Sequence, residues 1–243
     1  ANTTTLKVGE AEGKLLEERA KQFNGRLTGS RFLRGILIPG GLRRDLDPKP
    51  WLSDELEKLR AEIVTYVTML ENTNSHLDRL ITTGVLPHQI AFDQGATGPI
   101  QRASGFDRDL RRDHPYAAYD HIPFEIPVRT SGDAHARAQV RMAEIDASIG
   151  IIQRVLLLLA DGPVFTECRP IAGSEGLGWA ESPRGSCFYA VHFGHDGAIA
   201  RVKIKSPSFS NWRVFPFTVH DSNMMDYAIN EASFGLTVAG CDR

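Results

Sequence analysis

The chain has 243 residues and a formal charge of −2, from 28 lysines and arginines against 30 aspartates and glutamates. Hydrophobic residues make up 42% and charged residues 24%, the composition of a folded chain, which excludes a disordered one. Balanced charge excludes broad phosphate-backbone binding, so no nucleic-acid partner is expected; three cysteines (Cys168, Cys187, Cys241) with no C-x-x-C pair exclude a disulfide scaffold, a four-thiolate iron–sulfur cluster and an all-cysteine zinc site.

Ala1 to Gly13 is polar and has neither a basic n-region nor an apolar h-region, so no signal peptide is expected. A first helix is predicted over Glu10 to Asn24, with Leu15, Leu16, Arg19 and Phe23 on one face and Gly25 as its stop. Thr28-Gly29-Ser30 reads as the cap of a second short helix, closed by a sharp turn at Ile38-Pro39-Gly40-Gly41. The clearest pattern runs from Trp51 to about Thr82. There Leu52, Leu56, Leu59, Ile63, Val67, Leu70, Leu77 and Leu80 recur at helical steps, with Ser53 or Asp54 as the expected cap.

Gly84 to Gly132 has another texture, dense in Gly, Pro, Arg, Asp and Tyr; a connection this long is expected to be functional or buried. A second long helix is predicted over Asp133 to Ala160, more apolar toward its end and therefore buried there on most sides. Its apolar part, Ile149 to Ala160, is too short to span a bilayer. Phe188 to Phe193 and Ile199 to Ile204 alternate on either side of Gly194-His195-Asp196-Gly197, which predicts a β-hairpin within 162–213. A last helix is predicted around Met224 to Ala232. The expectation is a mainly α single domain over 1–243, a bundle of long helices with a small β-hairpin.

No Walker motif, dinucleotide fingerprint or H-E-x-x-H occurs, and the eight histidines lack ligand spacing. The run Arg108-Asp109-Leu110-Arg111-Arg112-Asp113 alternates in sign, as a solvated helical turn or an interface ion-pair network would. Pro183-Arg184-Gly185 fixes the backbone on both sides of a guanidinium, and an arginine held this way can act on an anion or a developing charge.

Several segments in fixed order carry a resemblance. Leu27-Thr28-Gly29-Ser30-Arg31 and Ile38-Pro39-Gly40-Gly41 are followed by Ala96-Thr97-Gly98-Pro99-Ile100-Gln101-Arg102-Ala103-Ser104-Gly105. Then come Asp107, Asp109-Leu110-Arg111, Pro115-Tyr116, Tyr119-Asp120, Glu181-Ser182-Pro183-Arg184-Gly185, Lys203-Ile204-Lys205-Ser206-Pro207-Ser208-Phe209-Ser210-Asn211 and the closing Asp242-Arg243. Together they resemble the C-terminal two-thirds of the large subunit shared by respiratory complex I (NADH dehydrogenase I) and the membrane-bound NiFe hydrogenases of the formate hydrogenlyase type.

The resemblance implies a mostly α subunit beside a small iron–sulfur subunit, in a membrane-bound redox complex that uses NADH and quinone or reduces protons. It implies a place on the cytoplasmic inner face of the membrane, with no span in this chain. Cofactors are then a quinone and an iron–sulfur cluster held by the partner, with none bound by this chain itself. Arg184 matches the arginine that hydrogenases hold over their metal, an implied catalytic position. Hydrogenases also carry a late C-x-x-C pair, which falls here at Thr237 and Gly240, so no metal ligand is expected. Thr237, Gly240, Asp242 and Arg243 are the implied cavity lining.

The family's N-terminal third has no counterpart, Ile38 replaces the usual Arg before Pro39, and Ser186 replaces the acid after P-R-G. Two readings follow: a subunit that shapes a quinone- or proton-reducing cavity, or a non-catalytic structural or assembly subunit. The isolated chain is expected to be inactive.

Overall fold

The computed structural model describes residues 1–46, 51–159 and 162–241. These are mainly helical, with a small antiparallel sheet, and they group into two compact units. The first unit comprises 1–73 and 149–169, and the second 74–148 and 170–243.

In the first unit, helix α1 spans Lys7–Thr28 and α2 spans Trp51–Glu71. They run antiparallel: Tyr66 Oη donates to the Gly9 carbonyl at 3.0 Å, and the Phe23 and Trp51 rings meet edge to face at 5.6 Å. α1 is longer than the sequence suggests at both ends. Its stop is Gly29, in the left-handed conformation, and not Gly25. No second short helix follows; strands β1 (Leu37–Ile38) and β2 (Gly41–Leu42) instead form a tight hairpin around Pro39-Gly40. The chain at 164–166 lies directly on this hairpin, where Leu42 N donates to Val164 O at 2.8 Å and Thr166 N to Gly40 O at 2.9 Å.

The predicted stripe on α2 is real at Leu52 and Leu56, which pack with Ile149 and the flanking Phe23, Leu27, Trp51 and Leu156. Each such burial is worth about 1.5–3 kcal/mol. The helix already includes Ser53 and Asp54 in its first turn, where Trp51 meets the Phe23 ring and Arg26, whose guanidinium lies 4.0 Å from the indole centroid. It also stops early. At Asn72-Thr73-Asn74-Ser75 short polar side chains compete for the backbone: Thr73 Oγ1 donates to Met69 O at 2.7 Å, and the chain restarts as α3, Asn74–Leu80.

The second unit holds α3, three short helices α4 (His88–Asp93), α5 (Pro99–Ala103) and α6 (Leu110–Asp113), and the last helices α8 (Pro207–Trp212) and α9 (Tyr227–Phe234). The loop-like central segment is therefore largely core, and Leu86, Ala91, Ala96, Ile100 and Phe106 pack with Val214, Phe215 and Phe234. Helix α7, Ala134–Leu158, is long as expected; its residues through Ser148 belong to this unit and those from Ile149 to the first. Its end is not buried. Leu157, Leu158 and Leu159 are 86%, 63% and 59% exposed, because no described element covers them. Ala160, also placed in this helix from sequence, lies outside the described residues.

The predicted hairpin is present as β4 (Gly185–Phe193) and β5 (Ile199–Lys205), joined around residues 194–197. A third strand, β3 (Glu175–Ser182), pairs antiparallel with β4 in the order β3-β4-β5. It hides in the sequence because Gly176 and Gly178 dilute its strand propensity. No described helix is long and apolar enough to cross a membrane.

Candidate functional site

The P-R-G motif is a turn. Ser182 and Gly185 face each other as the last pair of β3 and β4, which leaves Pro183 and Arg184 as the two residues between them. Ser182 Oγ closes the turn, donating to Gly185 O at 2.8 Å and accepting from Arg184 N at 3.3 Å. The turn docks on the A-T-G-P segment: a Cβ on Gly98 would stand 2.3 Å from Gly185 Cα, and Gly185 itself has a φ of +128°. Gly98 has a positive φ as well, +66°, so both positions need glycine for close approach and for conformation.

Buried Asn211 ties the two segments to α8. Its amide accepts from Thr97 N at 3.0 Å and donates to Thr97 O at 3.1 Å and Arg184 O at 3.4 Å. Three motifs spread over 114 positions of the chain thus converge on one side chain.

Arg184 is exposed, and its Nε donates to Gly235 O at 2.6 Å, which aims it at the segment that follows α9. Thr237 lies two residues on. Its N–H donates to Ser208 Oγ at 3.2 Å, its Oγ1 accepts from Gly240 N at 3.1 Å, and Ser206 Oγ donates to Gly240 O. The structure therefore sets Arg184 against the start of the segment that holds Thr237 and Gly240; Asp242 and Arg243 lie outside the described residues.

The donor chemistry here does not fit a thiolate-held metal. Position 240 has no side chain, and the Thr237 hydroxyl fills the space beside it, 2.6 Å from where a Cβ would be. The Cys241 thiol is turned to Thr237 O at 3.4 Å, and burial raises its pKa, which disfavours a thiolate. No group of three or more His, Cys, Asp and Glu side chains suited to a metal occurs among the described residues.

Behind the turn sits a charged centre that the sequence did not single out. Arg102, 1% exposed, is held by Glu144 (2.8 Å from Nε), Glu181 (3.0 Å), Asp109 (3.3 Å) and the Arg108 carbonyl (3.0 Å). Arg111 adds a two-pronged contact to Asp109 at 2.9 and 2.6 Å. The mixed-charge run is thus not a solvated turn throughout. Arg112 pairs with Asp107 and Asp113 at the surface, while Asp109 turns inward and caps α6 by accepting from Arg111 N.

Burial raises the Glu181 pKa against the pull of Arg102, and the Asp109 charge adds to the rise. Burial also pushes on Asp109, but the hydrogen bonds and charges of Arg111 and Arg102 outweigh it and hold that carboxyl below its ordinary value. From Glu181 a chain of hydroxyls leads outward: Ser186 Oγ donates to Glu181 Oε2 at 3.0 Å, and Thr97 Oγ1 donates to Ser186 Oγ at 2.8 Å.

A second arginine, Arg137, is fully buried. It donates to Gly132 O (2.7 Å), Gly84 O (2.9 Å), Ser233 Oγ (2.9 Å) and Asn230 Oδ1 (3.1 Å), with its guanidinium 4.6 Å from the Phe234 centroid. Arg141 donates to the Ser233 and Phe234 carbonyls and so caps the C-terminus of α9, just before Gly235. Burial lowers its pKa to about 10, with Glu144 opposing and Arg184 adding to the fall. The clue in the sequence was an arginine among small apolar neighbours: Ile100 and Ala103 around Arg102, Ala134, Ala136 and Val140 around Arg137.

The chain matches the family model for respiratory-chain NADH dehydrogenase, 49 Kd subunit, over residues 15–176 and 170–243. It is 32% identical over 225 residues to an NADH-quinone oxidoreductase subunit of Desulfotalea psychrophila, covering 89% of this chain and 60% of that protein. It is 34% identical over 188 residues to a carbon monoxide-induced hydrogenase of Rhodospirillum rubrum, covering 76% and 52%. Among solved structures, it superposes on a chain of the membrane-bound sulfane sulfur reductase, an archaeal respiratory membrane complex. That match has a TM-score of 0.85 at 28% identity and covers 95% of this chain and 65% of the other. The chain spans about three fifths of the length of the NADH-quinone oxidoreductase relatives it matches.

Proposed function

The chain belongs to the family of the 49 Kd subunit of respiratory-chain NADH dehydrogenase, and from that premise we propose that it is a subunit of a membrane-associated electron-transfer oxidoreductase. In this reading it sits peripherally on the cytoplasmic face beside a small iron–sulfur subunit. Its own part is to shape a cavity where electrons from the partner's cluster reach quinone or protons, with no nickel ligands on this chain. The exposed leucines at 157–159 support assembly with other subunits, since a contiguous apolar surface of this kind is usually covered in a complex.

The observation that carries the proposal is Arg184. A two-residue turn, a glycine–glycine contact and Asn211 fix its backbone, and Gly235 O fixes its Nε. A guanidinium cannot be neutralised in this pH range, so it supplies a preset positive charge and spare N–H donors to an oxygen that gains negative charge on reduction. Arg184→Ala in the assembled complex should lower quinone-dependent turnover about 100-fold. Arg184→Lys should recover only part of it, because an ammonium lacks the fork that reaches Gly235 and a substrate together.

The identity of Thr237 and Gly240 favours the second reading, a structural or assembly subunit. The Thr237 hydroxyl oxygen accepts from the Gly240 N–H, and Gly240 offers no side chain, so neither position supplies a thiolate. Turnover that survives Arg184→Ala unchanged, with the complex intact, would decide for that reading.

A further inference from the structure

A separate cleft opens in the second unit, on the β4–β5 side of the P-R-G turn, with a volume of about 350 Å3. None of Arg184, Thr237 and Gly240 lines it. At its floor are two polar side chains that the fold leaves without partners. Gln101 and Ser210 are each only 8% exposed, and neither its amide nor its hydroxyl makes a hydrogen bond among the described residues. No buried side-chain nitrogen or oxygen lacks a partner among the described residues, so the polar atoms of Gln101 and Ser210 are open to solvent and free to bond an occupant of the cleft.

The charges at the mouth give the sign of that occupant. Asp109 and Asp113 also line the cleft, but both are held in ion pairs, Asp109 with Arg111 and Arg102 and Asp113 with Arg112. Arg108 and Lys205 are left over, since neither is in an ion pair among the described residues. Both are preset. The Arg108 carbonyl accepts from Arg102, and its guanidinium lies 5.7 Å from the centroids of both Phe92 and Phe106. Lys205 is the last residue of β5, in register opposite Phe188, whose ring walls the cleft. Thr97 and Ser186 close the remaining side, their hydroxyl protons directed along the chain toward Glu181.

We propose that this cleft is a binding site for a small oxyanion, a phosphate or carboxylate group seated between Arg108 and Lys205 and hydrogen-bonded by the Gln101 amide and the Ser210 hydroxyl. The site is independent of any electron-transfer role, because it uses none of the residues assigned to that role.

Isothermal titration of the intact protein with inorganic phosphate and, separately, with succinate at constant ionic strength tests it. At least one probe should bind saturably with a dissociation constant at or below about 1 mM. The stronger probe identifies the group. Lys205→Gln, Arg108→Gln and Gln101→Leu should each weaken binding about tenfold or more, the loss of one charge-assisted or buried hydrogen bond. Lys205 and Arg108 are exposed, so their variants keep the test valid if Gln101→Leu folds poorly. Arg201→Gln, exposed on the same strand but outside the cleft, should bind as the wild type. No saturable binding of either probe overturns the proposal, as does an equal loss in Arg201→Gln, which would mean diffuse charge attraction in place of a site.

Discussion

Arg102 and Arg137 are the same residue at the same depth, 1% and 0% exposed, and the protein accommodates them in opposite ways. Arg102 sits among three carboxylates, so its surroundings carry more negative charge than it can neutralise alone, and Arg111 makes up part of the difference. Arg137 has no carboxylate against it, only carbonyls, an amide and a hydroxyl, and burial lowers its pKa to about 9, with Arg141 adding to the fall and Asp133 opposing it. One arginine organises titratable groups beneath the P-R-G turn. The other joins the start of α7 to α9 without any group that titrates near neutrality. A buried guanidinium can thus be a structural rivet or the hub of a charge network, and its partners decide which.

Substitution of each arginine should expose the difference most strongly. Arg102→Met leaves buried carboxylates without their cation and should cost about 3–5 kcal/mol in denaturant unfolding at neutral pH. Arg137→Met leaves the Gly84 carbonyl and the Asn230 oxygen unpaired, for about 2–3 kcal/mol. On acidification the first deficit should shrink, because the freed carboxylates take up protons, while the second stays level. Equal deficits with one shared pH dependence would remove the distinction.

A smaller effect should come from Glu181. Its pKa is raised in the folded state from an ordinary value of 4.5, so the folded protein holds that proton more tightly than the unfolded one. Stability is then lost as pH rises from the ordinary value through the raised one. Glu181→Gln should flatten that loss. Asp109, held low, works the other way: its contribution is present above its ordinary value of 3.8 and is lost as pH falls through the folded value. An unchanged slope in Glu181→Gln would show that the carboxylate cage does not set the pH dependence. The smallest change should follow Ser186→Ala, which removes one hydrogen bond to Glu181 and one from Thr97, for about 1 kcal/mol.

Much of the fold was legible because it rests on local pattern. The stripe through Leu52 and Leu56 and the alternation on either side of His195-Asp196-Gly197 are signals that neighbours in the chain supply, and each produced the element it predicts. The misses have physical reasons too. β3 carries two glycines that only its pairing with β4 compensates, and α2 breaks where the polar side chains at 72–75 compete for the backbone. The leucines that end α7 look like core but have no described cover. At the candidate site Arg184, Thr237 and Gly240 are named from the resemblance to the family, and Asp242 and Arg243 lie outside the described residues.

The sequence by itself determined the family, the order of its motifs and the absence of a late cysteine pair, since each depends only on which residues occur and in what succession. Only the tertiary structure decided that Gly98 and Gly185 touch, that Asn211 clamps both segments, and that Arg102 meets Asp109, Glu144 and Glu181. Those contacts join residues up to 114 positions apart. Whether a charge is buried against its partners or left in water depends on what the fold places beside it, and no local pattern in the chain encodes that.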